Sequence, residues 1–138
     1  IDDHGMFVGP AAEFFDWTDP SHLCMFRTHQ HVIANHLCEL SGDTAHCETY
    51  YFFVGMTREG NQLEMSGGRY VDRMERRNGE WRIAARKCVV EWGTAGMMQE
   101  EAAALFAAVG RIARDPSDLS YDRPLAIDPA RFGIRIGG

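Results

Sequence analysis

The dipeptide Asn78-Gly79, set between two long runs of alternating side chains, constrains this chain more than any other feature. A two-residue type I′ hairpin needs positive φ at both central positions, and Asn-Gly adopts that geometry at little steric cost. Arg69 to Arg77 and Glu80 to Trp92 are therefore expected as antiparallel neighbours. With Arg77 opposite Glu80, the register sets Glu75 against Arg82, Met74 against Ile83, Val71 against Arg86 and Arg69 against Cys88, which yields favourable charge pairs and an apolar match. Tyr70, Met74, Trp81 and Ile83 then share one face, and Arg69, Val71, Arg86, Cys88 and Val90 the other.

Two more strands precede this hairpin. Thr28 to Leu40 alternates, with His31, Ile33, Asn35 and Leu37 on one side and Val32, Ala34, His36 and Cys38 on the other. A turn at Ser41-Gly42-Asp43 leads into Ala45 to Thr57, rich in aromatic and β-branched residues. Before them, Pro10 suits a first helical turn and Ala11 to Trp17 a short amphipathic helix, broken by Thr18-Asp19-Pro20-Ser21. After Gly93, Met97 to Arg114 has the composition of one further helix, with Leu105, Ala108, Val109 and Ile112 at helical spacing. At 138 residues and 45% hydrophobic, with 8 Phe, 4 Tyr and 3 Trp, the chain can build one core without metal or disulfide staples.

A net charge of −6 with no basic block argues against nucleic acid as partner, and no apolar run approaches the roughly 20 residues of a membrane span. With no charged-then-apolar leader, a cytoplasmic location is expected. Cys24, Cys38, Cys47 and Cys88 are widely spaced and read as buried free thiols.

The segments Thr28 to Asn35, Ser41 to Ala45 with Glu48-Thr49-Tyr50, Gly67 to Arg73, and Asn78 to Ile83 continuing through Arg86 to Glu91-Trp92 resemble, in that order, the SnoaL-like domain of the nuclear-transport-factor-like superfamily. Asp115 to Tyr121 is similar to a tail seen there. The resemblance covers residues 1 to 121 and leaves 122 to 138, with Pro and Gly at short intervals, as an extended C-terminal tail that packs on the domain or on a neighbour. It implies an α+β fold: a cone-shaped barrel whose strongly curved, mainly antiparallel sheet wraps around helices and encloses a pocket for a small cyclic or aromatic molecule. Relatives include scytalone dehydratase, hexachlorocyclohexane dehydrochlorinase, polyketide cyclases and proteins with no known catalysis, so fold is implied more strongly than reaction. The family's long opening helix, with an Asp that orients the catalytic histidine, has no counterpart in these residues.

His31 matches the family's catalytic histidine, with Asn35 four residues on, and an imidazole can take the proton that starts a dehydration, dehydrohalogenation or retro-aldol cleavage without any cofactor. A structural His bonded to Asn35 is the competing account. Asp3 beside His4 could orient or charge an imidazole, whereas Asp2 fits a solvated turn better. Arg69 and Arg86, on one face by the register above, could hold a developing anion; a salt-bridge network with Glu48, Asp72 or Glu91 is the alternative. Tyr50 and Trp92 could line the pocket, and Glu48 could accept a proton or pair with an arginine. Among the histidines His29 and His31 are the near pair on one strand face, no carboxylate stands at ligand spacing, and no metal is expected. The reading is a cofactor-independent lyase or isomerase, expected as a homodimer or homotrimer, with a non-catalytic binding or dimerisation module of the same fold beside it.

Overall fold

Asn78 and Gly79 take φ +53 and +83, as a type I′ turn requires. In the computed structural model, which describes residues 1–94, 96, 98 and 100–136, they join the third and fourth of four long strands. The elements are β1 (Asp2–Asp3), β2 (Val8–Gly9), α1 (Ala11–Met25), β3 (Phe26–Ser41), β4 (Thr44–Thr57), β5 (Leu63–Arg77), β6 (Glu80–Gly93) and α2 (Glu100–Ala107), then two short 3₁₀ turns at Leu119–Tyr121 and Pro129–Arg131. The strands form one curved sheet in the order β2-β1-β6-β5-β4-β3, antiparallel except where β1 runs parallel to β6. The architecture is the expected cone-like α+β fold, open rather than closed because β2 and β3 end as edges. Among the described residues no helix is long and apolar enough to cross a membrane.

The hairpin register holds from Arg77↔Glu80 to Met74↔Ile83 and then shifts by one residue. A bulge at Ala84 makes Asp72, not Val71, the partner of Arg86, and Tyr70, not Arg69, the partner of Cys88. Because side chains alternate, that single residue sends Arg86 to the face opposite Arg69. A second bulge, between Ile33 and His36, sets Ala34 and Asn35 together against Tyr50 and brings His36, rather than Asn35, onto the His31 face. At the shift beside Gly67, a Cβ on Gly68 would stand 1.8 Å from the Val89 carbonyl oxygen, so only glycine fits there.

The two faces carry separate cores. Phe26, Tyr51, Phe53, Tyr70 and Cys88 cluster on the inner face, under α1. Val71 and Val89 on the outer face are covered by Leu119 and Leu125. The segment after Asp122 is docked: Val8 and Gly133–Ile134 exchange backbone hydrogen bonds at 2.9 Å, Ile136 N–H donates to the Met6 carbonyl, and Arg131 pairs with Asp3.

Two helix boundaries differ from the sequence expectation. The first helix runs through Pro20 to Met25. Pro20 removes one N–H from the ladder, a cost of about 3 kcal/mol in a helix interior, yet the helix continues past it, with Phe14 and Trp17 packed on Phe7, and His22 on Phe26 and Phe53. The second ends at Ala107, and Ile112 lies beyond it in irregular chain; its expected first turn falls partly on residues 97 and 99, outside the described residues. Of the cysteines, Cys47 and Cys88 are buried, but Cys24 and Cys38 are exposed, since one sits on the outer side of α1 and the other on an edge strand.

Candidate functional site

Strand register alone assembles the inner face. Reading across β3, β4, β5 and β6, one row is Cys38, Cys47, Asp72 and Arg86, which continues to Asp2 on β1. The next is His36, Thr49, Tyr70 and Cys88, and farther along come Ile33 with Tyr51 and His31 with Phe53. The rings touch in sequence: His31 meets Phe53 at 4.9 Å and Tyr51 at 6.1 Å, Tyr51 stacks on Tyr70 at 4.7 Å, and Tyr70 lies 6.0 Å from His4. Helix α1 covers this ladder with Phe14 stacked on His4 at 4.3 Å and His22 stacked on His31 at 6.1 Å.

The two histidines at the ends of the ladder meet opposite fields. His31 is open to solvent at one edge, but partial burial among rings, then the positive charge available on His22 and His29, lowers its pKa to about 4. It is an uncharged acceptor at neutral pH. Burial would likewise discharge His4, but the Cys88 sulfur and the hydrogen-bonded Asp2 carboxylate outweigh it and raise its pKa to about 10. Asp2 is therefore the partner of His4, in a strand within the sheet and not in a solvated turn. Arg86 lies over the Tyr70 ring at 4.2 Å, held by Asp72 through two bonds of 2.8 Å. Burial and the thiol of Cys88 push the Tyr51 hydroxyl well above its usual range, so it stays protonated while its oxygen accepts from the Cys88 thiol.

The residues singled out from sequence divide between the faces. His31, His4 and Arg86 lie on the inner face, His31 and His4 at opposite ends of the ring ladder and Arg86 over Tyr70. Asp3 does not join them: fully buried, it accepts two bonds from Arg131 and one from Gly5 N–H, and ties the C-terminal segment to β1. Glu48, Tyr50, Arg69 and Trp92 lie on the outer face. Arg69 and Arg86 therefore cannot hold one anion between them, the expectation that the Ala84 bulge overturns. Arg69 is enclosed by Glu91 at 2.6 Å, Asp118 at 3.0 Å and Glu48 at 3.3 Å, with the Tyr50 ring 5.8 Å away. This is the salt-bridge alternative, and Asp118 was its unforeseen member. Asn35, exposed in the bulge, does not share the His31 face.

Other contributors were legible only in part. Tyr51, Tyr70 and Phe53 occupy alternating core positions, a pattern that marks burial and not function; His22 and Cys88 gain meaning only through the ring contacts made in space. Trp17 adds an indole N–H that is buried with no hydrogen-bond partner among the described residues. A groove of about 410 Å³ opens on the outer face, lined by His46, Glu48, Arg69, Arg114 and Arg123 among others, and neither His4 nor His31 reaches it.

With this geometry in hand, comparison with known proteins gives one family match: the SnoaL-like domain model aligns with residues 2–87. No curated protein matches. Among solved structures, the Kfla4162 protein from Kribbella flavida is similar at 17% identity and TM-score 0.53, over 71% of this chain and 65% of that one. Hexachlorocyclohexane dehydrochlorinase (LinA) Type2 is 25% identical with TM-score 0.47, over 51% and 48%. A nuclear transport factor 2-like superfamily protein from Salmonella enterica subsp. enterica serovar Typhimurium str. LT2 is 20% identical with TM-score 0.49, over 64% and 68%. The chain spans about half the length of the dehydrochlorinase it matches.

Proposed function

Because this chain belongs to the SnoaL-like domain family, we propose that its inner sheet face carries out a cofactor-independent lyase or isomerase reaction on a small cyclic or aromatic molecule. His31 is the base. It takes a proton from a carbon next to an electron-withdrawing group, and the electron pair left behind expels hydroxide or halide from the adjacent atom or is protonated elsewhere on the ring; in a retro-aldol cleavage it takes instead the proton of a β-hydroxyl, whose oxygen forms a carbonyl as the carbon–carbon bond breaks to leave an enolate. Negative charge forming beside His31 raises its pKa as the proton arrives, which offsets the low resting value. At the other end of the ladder the His4 imidazolium, fixed by Asp2, and the Arg86 guanidinium supply positive charge toward which a guest's electron density is drawn, and the buried rings of Phe53, Tyr51 and Tyr70 form the apolar floor between the two ends. The buried indole N–H of Trp17 is a further donor on the covering helix.

The observation that supports this reading is the pair of histidines on one sheet face whose surroundings favour opposite protonation, neutral for His31 and cationic for His4, which suits a base at one end and a cation at the other. The test is a panel of cyclic halides, β-hydroxy ketones and phenols in deuterated buffer, followed by NMR for solvent deuterium uptake or leaving-group release. Turnover of at least one class, lost in His31→Gln, is expected; full turnover in that variant rejects the assignment.

A second reading, a non-catalytic assembly module, is favoured by the outer face of β3 and β4. Val32, Leu37, Phe52 and Trp92 are exposed there beside the open β3 edge, and Phe52 and Trp92 touch at 5.4 Å. Light scattering after size exclusion should give a dimer or trimer. A monomer at micromolar concentration removes this reading.

A further inference from the structure

Beyond the Ala34–Asn35 bulge, the inner face continues into a cluster that the reaction proposed above does not use. The bulge turns His36 and Cys38 to that face, and the short turn at Gly42–Asp43 pairs Cys38 directly with Cys47 across the strands. One imidazole nitrogen of His36 and both sulfurs lie within 4.8 Å of one another, and the sulfurs are 3.2 Å apart. Thr49 fixes the His36 ring through a 2.7 Å bond to Nδ1. The neighbouring carboxylate in that row, Asp72, is committed to Arg86 and is not a free ligand.

Two sulfurs and an imidazole nitrogen select thiophilic ions over the oxygen-seeking Mg²⁺ and Ca²⁺. Bonds of about 2.0–2.3 Å would set donors around one ion roughly 3.4–3.8 Å apart, a spacing that side-chain rotation reaches from the present envelope. We propose that His36, Cys38 and Cys47 form a binding site for a thiophilic d¹⁰ metal ion of the Zn²⁺ class, with its fourth position open on the exposed side of β3. His36 and Cys38 are exposed and admit the ion, while Cys47 is buried beneath them. Both cysteines bind as thiolates, so the ion displaces their protons and binding releases protons to solvent without any change of oxidation state. Thr49 acts behind the ligands, keeping the imidazole in position.

The test is a Co²⁺ titration of the reduced full chain under a phosphine reductant. One equivalent should produce sulfur-to-cobalt charge-transfer absorption and tetrahedral d–d bands, and Zn²⁺ should displace it. Cys38→Ser and Cys47→Ser should each abolish the charge-transfer band, His36→Gln should weaken binding more than 10-fold, and Thr49→Val by about 10-fold. Cys24→Ser should change nothing. Cys38 is exposed, so its variant keeps the fold, which far-UV circular dichroism verifies even where Cys47→Ser is unstable. Failure to take up cobalt under reductant, a band that survives in Cys38→Ser, or a pair that only forms a disulfide on oxidation overturns the site. None of these readouts depends on the His31 reaction.

Discussion

Arg69 and Arg86 sit on paired strands of one sheet, and their different fates separate its two faces. On the outer face three carboxylates surround Arg69 at the side of an open groove, next to the patch where Leu119 and Leu125 pack on Val71 and Val89. All three carboxylates share the one guanidinium, and the Asp118 arm fastens the segment around Leu119 to the sheet. On the inner face Arg86 is paired with Asp72, but the two histidines meet unlike surroundings: His31 has rings and other histidines for neighbours, His4 a carboxylate and a sulfur. Ions bonded to one another under a packed segment hold a fold together, whereas groups pushed away from their ordinary protonation are the ones with chemistry to offer.

The sharpest way to break this contrast is to remove Arg69. Arg69→Met leaves Asp118 buried without its partner and should cost about 3–5 kcal/mol in urea unfolding at pH 7. The same variant should leave His31 chemistry intact in the molecules that remain folded; comparable loss of both would merge the two faces into one functional unit. The complementary change, His31→Gln, should lower turnover on a responsive substrate by about 10²–10⁴-fold and shift stability by no more than about 0.5 kcal/mol, as expected for an exposed side chain.

Acid and alkaline unfolding should divide the faces as well. The His4 pKa is raised above 6.5 to about 10, so its contribution is complete below about pH 6.5 and lost as pH rises through 10. Asp2→Asn should therefore reduce the stability difference between pH 6 and pH 10 by at least about 1 kcal/mol. Asp118 works in the other direction. Although burial opposes it, the bonds from Arg69, Ala113 and Ser120 hold its pKa well below 3.8, so its contribution is present above that value and lost as pH falls beneath it; Asp118→Asn should flatten the acid limb and spare the alkaline one. The smallest effect belongs to Glu91→Gln. This half-buried arm of the outer network should cost about 0.5–1 kcal/mol by denaturant titration, and a larger value would make Glu91 a principal partner of Arg69.

Much of the framework was legible in residues near one another along the chain. Asn78-Gly79 specified a hairpin because backbone sterics favour that pair at positive φ, and the register near the turn followed from it. The turn at Gly42–Asp43 likewise implied Cys38 opposite Cys47, a pairing that counting back from Ser41↔Thr44 would have revealed. Farther from each turn the reading lost its hold. Nothing local marks Ala84, or Ala34 and Asn35, as bulges, and each reverses which side chains face inward over the rest of the strand.

By itself, then, the sequence determined four long strands, their hairpin connections, the family they belong to and a histidine on the strand that pairs with the aromatic one, because turn chemistry and two-residue alternation act over a few neighbouring positions. Tertiary structure alone decided which arginine stands beside the histidines, that Asp3 serves the C-terminal segment, and that Asp2 charges His4. Those outcomes depend on packing between elements far apart in the chain, where a one-residue slip in register costs little to write into the sequence and moves a side chain to the other side of the sheet.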